Sequence, residues 1–221
     1  MKPATNSRPS LYMAMSITIV AVVAFGFGQT IDQALLHPPS PRPWILYVHI
    51  VLFTAWVVLF AAQAALIRSR RVVWHRRLGA VGVFVGIAMP FAAIAAAIVM
   101  RRLHAAEGHI APATSLVVPC FDMLAFAISF GLAISWRRRP EFHRRLMLIA
   151  TSGITVAAFA RFPSWLIPDN CFYFGVDGLI LAAIVWEWLA TRRVHPVYRY
   201  GLPALIIGQG LTMWIVLSVR A

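Results

Sequence analysis

The stretch WILYVHIVLFTAWVVLFAAQAALI (44–67) runs for 24 residues without an Asp, Glu, Lys or Arg. At a rise of about 1.5 Å per residue it is long enough, as a helix, to cross a hydrocarbon layer about 30 Å thick. A helix on the surface of a soluble domain is apolar along one stripe only. Here apolar side chains occupy every face, the pattern of a helix whose solvent is lipid.

Comparable runs lie on both sides of it, at 11–28, 80–100, 115–136, 145–163, 172–190 and 202–219. Seven spans of about 20 residues take up roughly 140 of the 221 positions, so the connections are short. Hydrophobic residues make up 61% of the chain and charged residues 12%, with a mean hydropathy of +0.77. A soluble domain sits near half apolar and a quarter charged. The expectation is an all-α polytopic membrane protein: one transmembrane domain over 1–221, with seven helices in one bundle. The breaks carry helix-stopping residues, most plainly HPPSPRP (37–43) and PSWLIPDN (163–170). Trp44, Trp136, Trp165, Trp186 and Trp188 fall near proposed span ends, as interfacial aromatic belts do. The run at 11–28 is long for a secretory signal and has no clear small-residue cleavage site, so it reads as a retained signal anchor.

The net charge of +13 comes from arginines clustered at the ends of apolar runs. That arrangement sets topology and does not form a nucleic-acid patch. With the amino terminus inside, fifteen Lys and Arg residues fall on the inner side, from Lys2 and Arg8 through Arg76, Arg77, Arg144 and Arg145 to Arg199. Five fall outside: Arg42, Arg101, Arg102, Arg161 and Arg220. The bias predicts a multi-pass protein of a bacterial inner membrane, amino terminus cytoplasmic and carboxyl terminus periplasmic. The lipid bilayer is then its evident partner; the sequence specifies no protein partner.

In that orientation the last six spans make three hairpins after the anchor helix. Their inner segments read WHRRLG (74–79), FHRRLM (142–147) and VHPVYRYG (194–201), the first two matching at H-R-R-L 68 residues apart. This looks like a degenerate repeat of a helical hairpin.

Two polar layers carry the candidate chemistry. The inner one holds His75, His143 and His195 with Arg76 and Arg144 among them. Imidazole is a common metal ligand and titrates near neutral pH, so two of these rings could ligate a haem iron or handle protons. Interfacial anchoring, with arginines reaching to lipid phosphates, accounts for the same residues. The outer layer holds His49, Asp122 and Asp177 at comparable depth on three descending spans, with Arg161 near their level. Ionisable groups inside a bilayer are costly and face the bundle interior. These three could hold a divalent metal or relay protons; an Arg161 salt bridge to Asp122 or Asp177 would make them a structural network. Arg161 would weaken the binding of a cation beside it.

His49, Trp56 and Gln63 recur every seven residues, which keeps them on one face of their span, directed into the bundle. Asp122 with Ser129, and Thr151 with Thr155, continue a polar interior. Cys120 and Cys171 both fall at outer span ends, where a disulfide and two free thiols are both open. His37, His104 and His109 read as solvated residues of outer loops. No nucleotide-binding, zinc-protease or serine-hydrolase motif occurs.

The segments HIVLFTAWVVLFAAQ (49–63), WHRRLG (74–79), RRRPEFHRRLMLIAT (137–151) and RVHP (193–196) together resemble a bacterial family of uncharacterised polytopic membrane proteins. Its marks are one HR-x-x-G turn and one HR-x-x-M turn, and the resemblance covers roughly residues 40–200. It implies that His49, Trp56, Gln63, His75, Asp122, His143, Asp177 and His195 occupy the family's recurrent positions, and nothing about chemistry. The leading expectation is an accessory protein whose interior His/Asp/Arg network handles a small ligand, a lipid or protons. The rivals are a b-type haem redox protein using His75 and His143, and a metal-dependent membrane hydrolase using His49, Asp122 and Asp177.

Overall fold

The computed structural model describes residues 11–38, 40–108 and 113–219, all helix and connection with no strand among them. Lys2, Arg8, His109 and Arg220 lie outside the described residues. Eight helices follow in order: α1 Leu11–Gly28, α2 Trp44–Arg68, α3 Val72–Ala106, α4 Val117–Ser135, α5 Pro140–Gly153, α6 Val156–Phe159, α7 Phe172–Thr191 and α8 Pro196–Ser218. Short helical turns at Asp32–Leu36 and Ala113–Leu116 lead into α2 and α4. Among the described residues six helices are long and apolar enough to cross a membrane: α1, α2, α3, α4, α7 and α8.

The boundaries differ from the sequence expectation where arginine was read as a helix end. The turn after α2 is only Ser69–Arg71, closed by Arg70 in the left-handed region (φ 61°) and by the Arg71 N–H donating to the Leu66 carbonyl at 2.8 Å. WHRRLG is therefore not a turn but the opening of α3, because nothing from Trp74 to Gly79 breaks a helix. At the other end α3 continues to Ala106, which puts His104 in an exposed last turn, not in a loop. Proline opens both α5 and α8, where its missing N–H costs nothing.

The fifth apolar run, expected as one helix over 145–163, is divided. α5 ends at Gly153, and the chain turns through Ile154 and Thr155 before the single turn of α6. The Thr155 hydroxyl donates to the Ser152 carbonyl at 2.6 Å, meeting part of the hydrogen-bonding demand at the break. Irregular backbone at membrane depth is tolerated only where protein surrounds it. Protein does so here, for Leu148 to Ser152, Ile154 to Val156, Ala158 and Phe159 are all buried.

Around this segment α4 packs on α5 and α8, α1 on α2, α6 and α7, and α3 on α2 and α4. Two glycines allow close approach. A side chain at Gly26 would collide with the backbone of Ala158, and one at Gly86 would stand 2.8 Å from Trp56 and 2.6 Å from Phe130. The outward faces carry exposed Val51, Val58, Phe84, Phe91, Phe174, Ile207 and Trp214, whereas Ser16, Asp122, Arg145, Thr151, Thr155 and Gln209 are buried. Apolar outside and polar inside is the order lipid imposes.

Candidate functional site

The outer layer divides into two groups. Asp122, one turn into α4, is 7% exposed, and the Tyr173 hydroxyl of α7 donates to its Oδ1 at 2.9 Å. Asp177 lies one turn further along α7, on the same face as Tyr173, and has a buried carboxylate oxygen without a hydrogen-bond partner. Gln209 of α8 is buried as well. Immediately outward, Val118, Phe172, Met213 and Val216 line a cleft of about 230 Å³ with Thr114, Ser115 and Asn170. Val118 is one turn before Asp122 and Phe172 adjoins Tyr173, so the cleft neighbours this pair along both helices, although neither Asp122 nor Tyr173 lines it.

His49 makes no hydrogen bond to that group through Nδ1. Its ring lies against Phe53, with centroids 4.2 Å apart, and its Nδ1 is buried without a partner. α1 packs on both α2 and α7, so the helices carrying His49 and Asp177 are joined through it. Among the described residues no three His, Cys, Asp or Glu side chains gather as a metal would need. The expected set of His49, Asp122 and Asp177 is thus not gathered as a metal site. Nor does Arg161 bridge to Asp122 or Asp177. Its guanidinium donates to the Ala157 carbonyl and lies over the Phe27 ring, 4.4 Å from the centroid. The reason is local: Arg161 follows the short α6, within reach of α1.

The seven-residue stripe of α2 does face protein. The Trp56 indole N–H donates to the Thr151 hydroxyl at 3.3 Å, and the Gln63 amide donates to the His75 carbonyl at 3.2 Å. Trp56 also meets Phe126 and Phe130 edge-on, which ties α2 to α4. Cys120 and Cys171 are both free thiols. His37 is exposed and bonded to Asp32 at 2.8 Å.

At the inner end His75 is the fourth residue of α3 and His143 the fourth of α5, so the H-R-R-L match corresponds to equal helix positions. Their rings stand edge-on, with a centroid distance of 6.5 Å and an interplanar angle of 84°. His143 Nδ1 lies 2.9 Å from the Ala133 carbonyl. A carbonyl only accepts, so Nδ1 carries a proton, and the neutral ring with that tautomer presents the lone pair of Nε2. His195 stands apart from this pair. It caps α8, its Nδ1 accepting from the Val197 N–H at 3.2 Å, and its ring packs on Phe142. Burial, and after it the Arg145 charge, hold the His195 imidazole below its ordinary range. That suits a cap which must stay unprotonated to accept.

The buried Arg145–Glu187 ion pair escaped the sequence reading. Arg145 is not a topology arginine reaching to head groups; it is 4% exposed. Its Nε meets the two Glu187 carboxylate oxygens at 3.1 and 3.0 Å, Nη2 also pairs with Glu187, and Nη1 donates to Glu141 Oε2 at 2.7 Å. The Arg145 hydrogen bond, with the Arg144 charge nearby, holds the Glu141 carboxyl below the usual carboxylate range. Arg144 pairs with Glu141 and sits over the Tyr12 ring at 5.3 Å. Glu187 was the available signal, a carboxylate inside an apolar run that a cation had to meet.

The described residues thus make an all-helical fold with six membrane-length apolar helices and a polar interior. Compared with protein-family models, curated proteins and solved structures, the chain finds no match.

Proposed function

We propose that this is an accessory protein of a bacterial inner membrane that takes up a small cationic ligand, or a proton, at the Asp122 site. One observation carries the reading. The Asp122 carboxyl is buried with a tyrosine hydroxyl as its donor, and among the described residues no cation pairs with it. A carboxyl so placed needs a proton or a cation to offset its removal from water. Asp177, with its unpartnered oxygen, supplies a second acceptor beside Tyr173. In this reading α5 and α6 make one broken crossing, which brings the spans to seven in three hairpins after α1. The amino terminus is then cytoplasmic and the cleft opens to the periplasm, as the arginine bias favours. The paired H-R-R-L segments are read as marks of an uncharacterised membrane-protein family.

Infrared difference spectroscopy on the purified protein tests the site. A protonated-carboxyl band that Asp122→Asn removes, and that methylammonium shifts or abolishes, is the expected result. A spectrum in which Asp122→Asn removes no such band would overturn the reading, and a band that methylammonium leaves unchanged would overturn the cationic ligand and leave the proton as the occupant.

A further inference from the structure

The ring-centre spacing of His75 and His143 is that of two ligands on one metal, and the surroundings select which kind. Two imidazoles bound on opposite sides of one metal at about 2 Å, with each ring centre about 1 Å beyond its nitrogen, stand about 6 Å apart centre to centre. His75 and His143 stand 6.5 Å apart. The Ala133 carbonyl fixes the His143 tautomer that presents Nε2, the outer-shell bond that metal-binding histidines usually make. The backbone at His75 is held by the Gln63 amide, while its Nδ1 and the Gln63 Oε1 are buried without partners. Orphaned polar atoms of this kind mark a missing partner.

The chemistry around the pair disfavours a bare ion. Among the described residues no third His, Cys, Asp or Glu joins the two rings, whereas a zinc site takes three or four protein ligands. Arg76 and Arg77 follow His75 directly, and their fixed positive charge repels a free dication. A haem iron reverses both objections. The porphyrin supplies four nitrogens and leaves two axial positions, and its carboxylates suit arginine at the membrane edge. We propose that His75 and His143 are the two axial ligands of a b-type haem at the inner end of the bundle. The proposal is independent of the Asp122 reading, because the two sites share no residue.

The full chain, produced with a haem precursor and purified in detergent, should carry one haem per chain by pyridine haemochrome assay. Reduction should give the sharp visible bands of a six-coordinate low-spin iron. Rings set at 84° predict a strongly anisotropic low-spin electron paramagnetic resonance signal in the oxidised protein. His75→Ala and His143→Ala should each lose the haem, and His104→Ala, on the exposed end of α3, should keep it. His75→Met should retain haem with an altered spectrum and a higher reduction potential, since a Met/His axial pair raises it. Folded protein that neither contains haem nor takes up added haemin overturns the proposal. So does a stoichiometric metal without porphyrin, or a His75→Met protein with an unchanged spectrum.

Discussion

Removing Arg145 while leaving Glu187 in place should be the most damaging single change in the protein. Arg145 is 5% exposed in its side chain and Glu187 12%, so the pair is out of water on both sides. It joins α5 to α7 across 42 residues of sequence, with Glu141 as a third, exposed member. An exposed ion pair contributes about 0–1 kcal/mol. Breaking a buried one costs about 3–5 kcal/mol, chiefly because the remaining charge has no compensation. Arg145→Met deletes the cation and keeps much of the apolar stem, so the loss should fall in that range. With about 2–4 °C per kcal/mol for a chain of this length, the midpoint should drop by about 6–20 °C. Thermal unfolding in detergent, followed by loss of the monodisperse chromatographic peak, measures it. Arg145→Met/Glu187→Met removes both charges and should recover most of the loss. The reasoning fails if the single variant loses less than about 1 kcal/mol, or if the double variant is no more stable than Arg145→Met.

The remaining predictions concern packing and pH. Gly86→Ala should destabilise by about 1–3 kcal/mol because Trp56 and Phe130 must give way. Gly26→Ala should be worse, since it meets backbone, and Gly82→Ala, with nothing within 4 Å, should be neutral or slightly stabilising; midpoints of the three variants in one detergent check the order. The folded-state value of His195 is depressed, so its contribution to stability is present in full above the unfolded imidazole value of about 6.5 and is lost as pH falls through the folded value. His195→Asn keeps a capping side chain without that titration, so its midpoint should fall less steeply with pH over this window than that of the native protein. Glu141 follows the acid-side rule. Its depressed carboxyl contributes above about pH 4.3 and loses that contribution as pH falls through the folded value, a loss Glu141→Gln should abolish.

Helix class and span positions were legible because lipid writes a simple rule into the chain: uncharged apolar runs of about 20 residues. The rule weakens where charge and helix coincide. Trp74–Gly79 looked like a turn because two arginines interrupt the apolar run, yet arginine is a good helix former and only Ser69–Arg71 turns. The division of α5 from α6 was invisible for another reason. Nothing in Gly153-Ile154-Thr155 demands a break, and the burial that makes one tolerable is a property of the neighbouring helices.

The sites separate along the same line. A periodic stripe on one helix can be read from spacing alone, and Trp56 and Gln63 do face protein partners. A constellation shared among helices depends on which helices are neighbours, and depth along the membrane does not give that. His49, Asp122 and Asp177 were grouped by depth, but Tyr173, one turn from Asp177 on α7, is what joins that helix to Asp122. His75 and His143 share the H-R-R-L match 68 residues apart, both stand fourth in their helices, and their ring centroids lie 6.5 Å apart. Arg145 adds the opposite lesson. Arginine at a span end was taken as surface charge, whereas Glu187, whose carboxylate was already inside an apolar run, required a buried cation from some neighbouring helix. In a chain with seven acidic residues, each one within a span is therefore a stronger pointer to an interior partner than any of its many arginines.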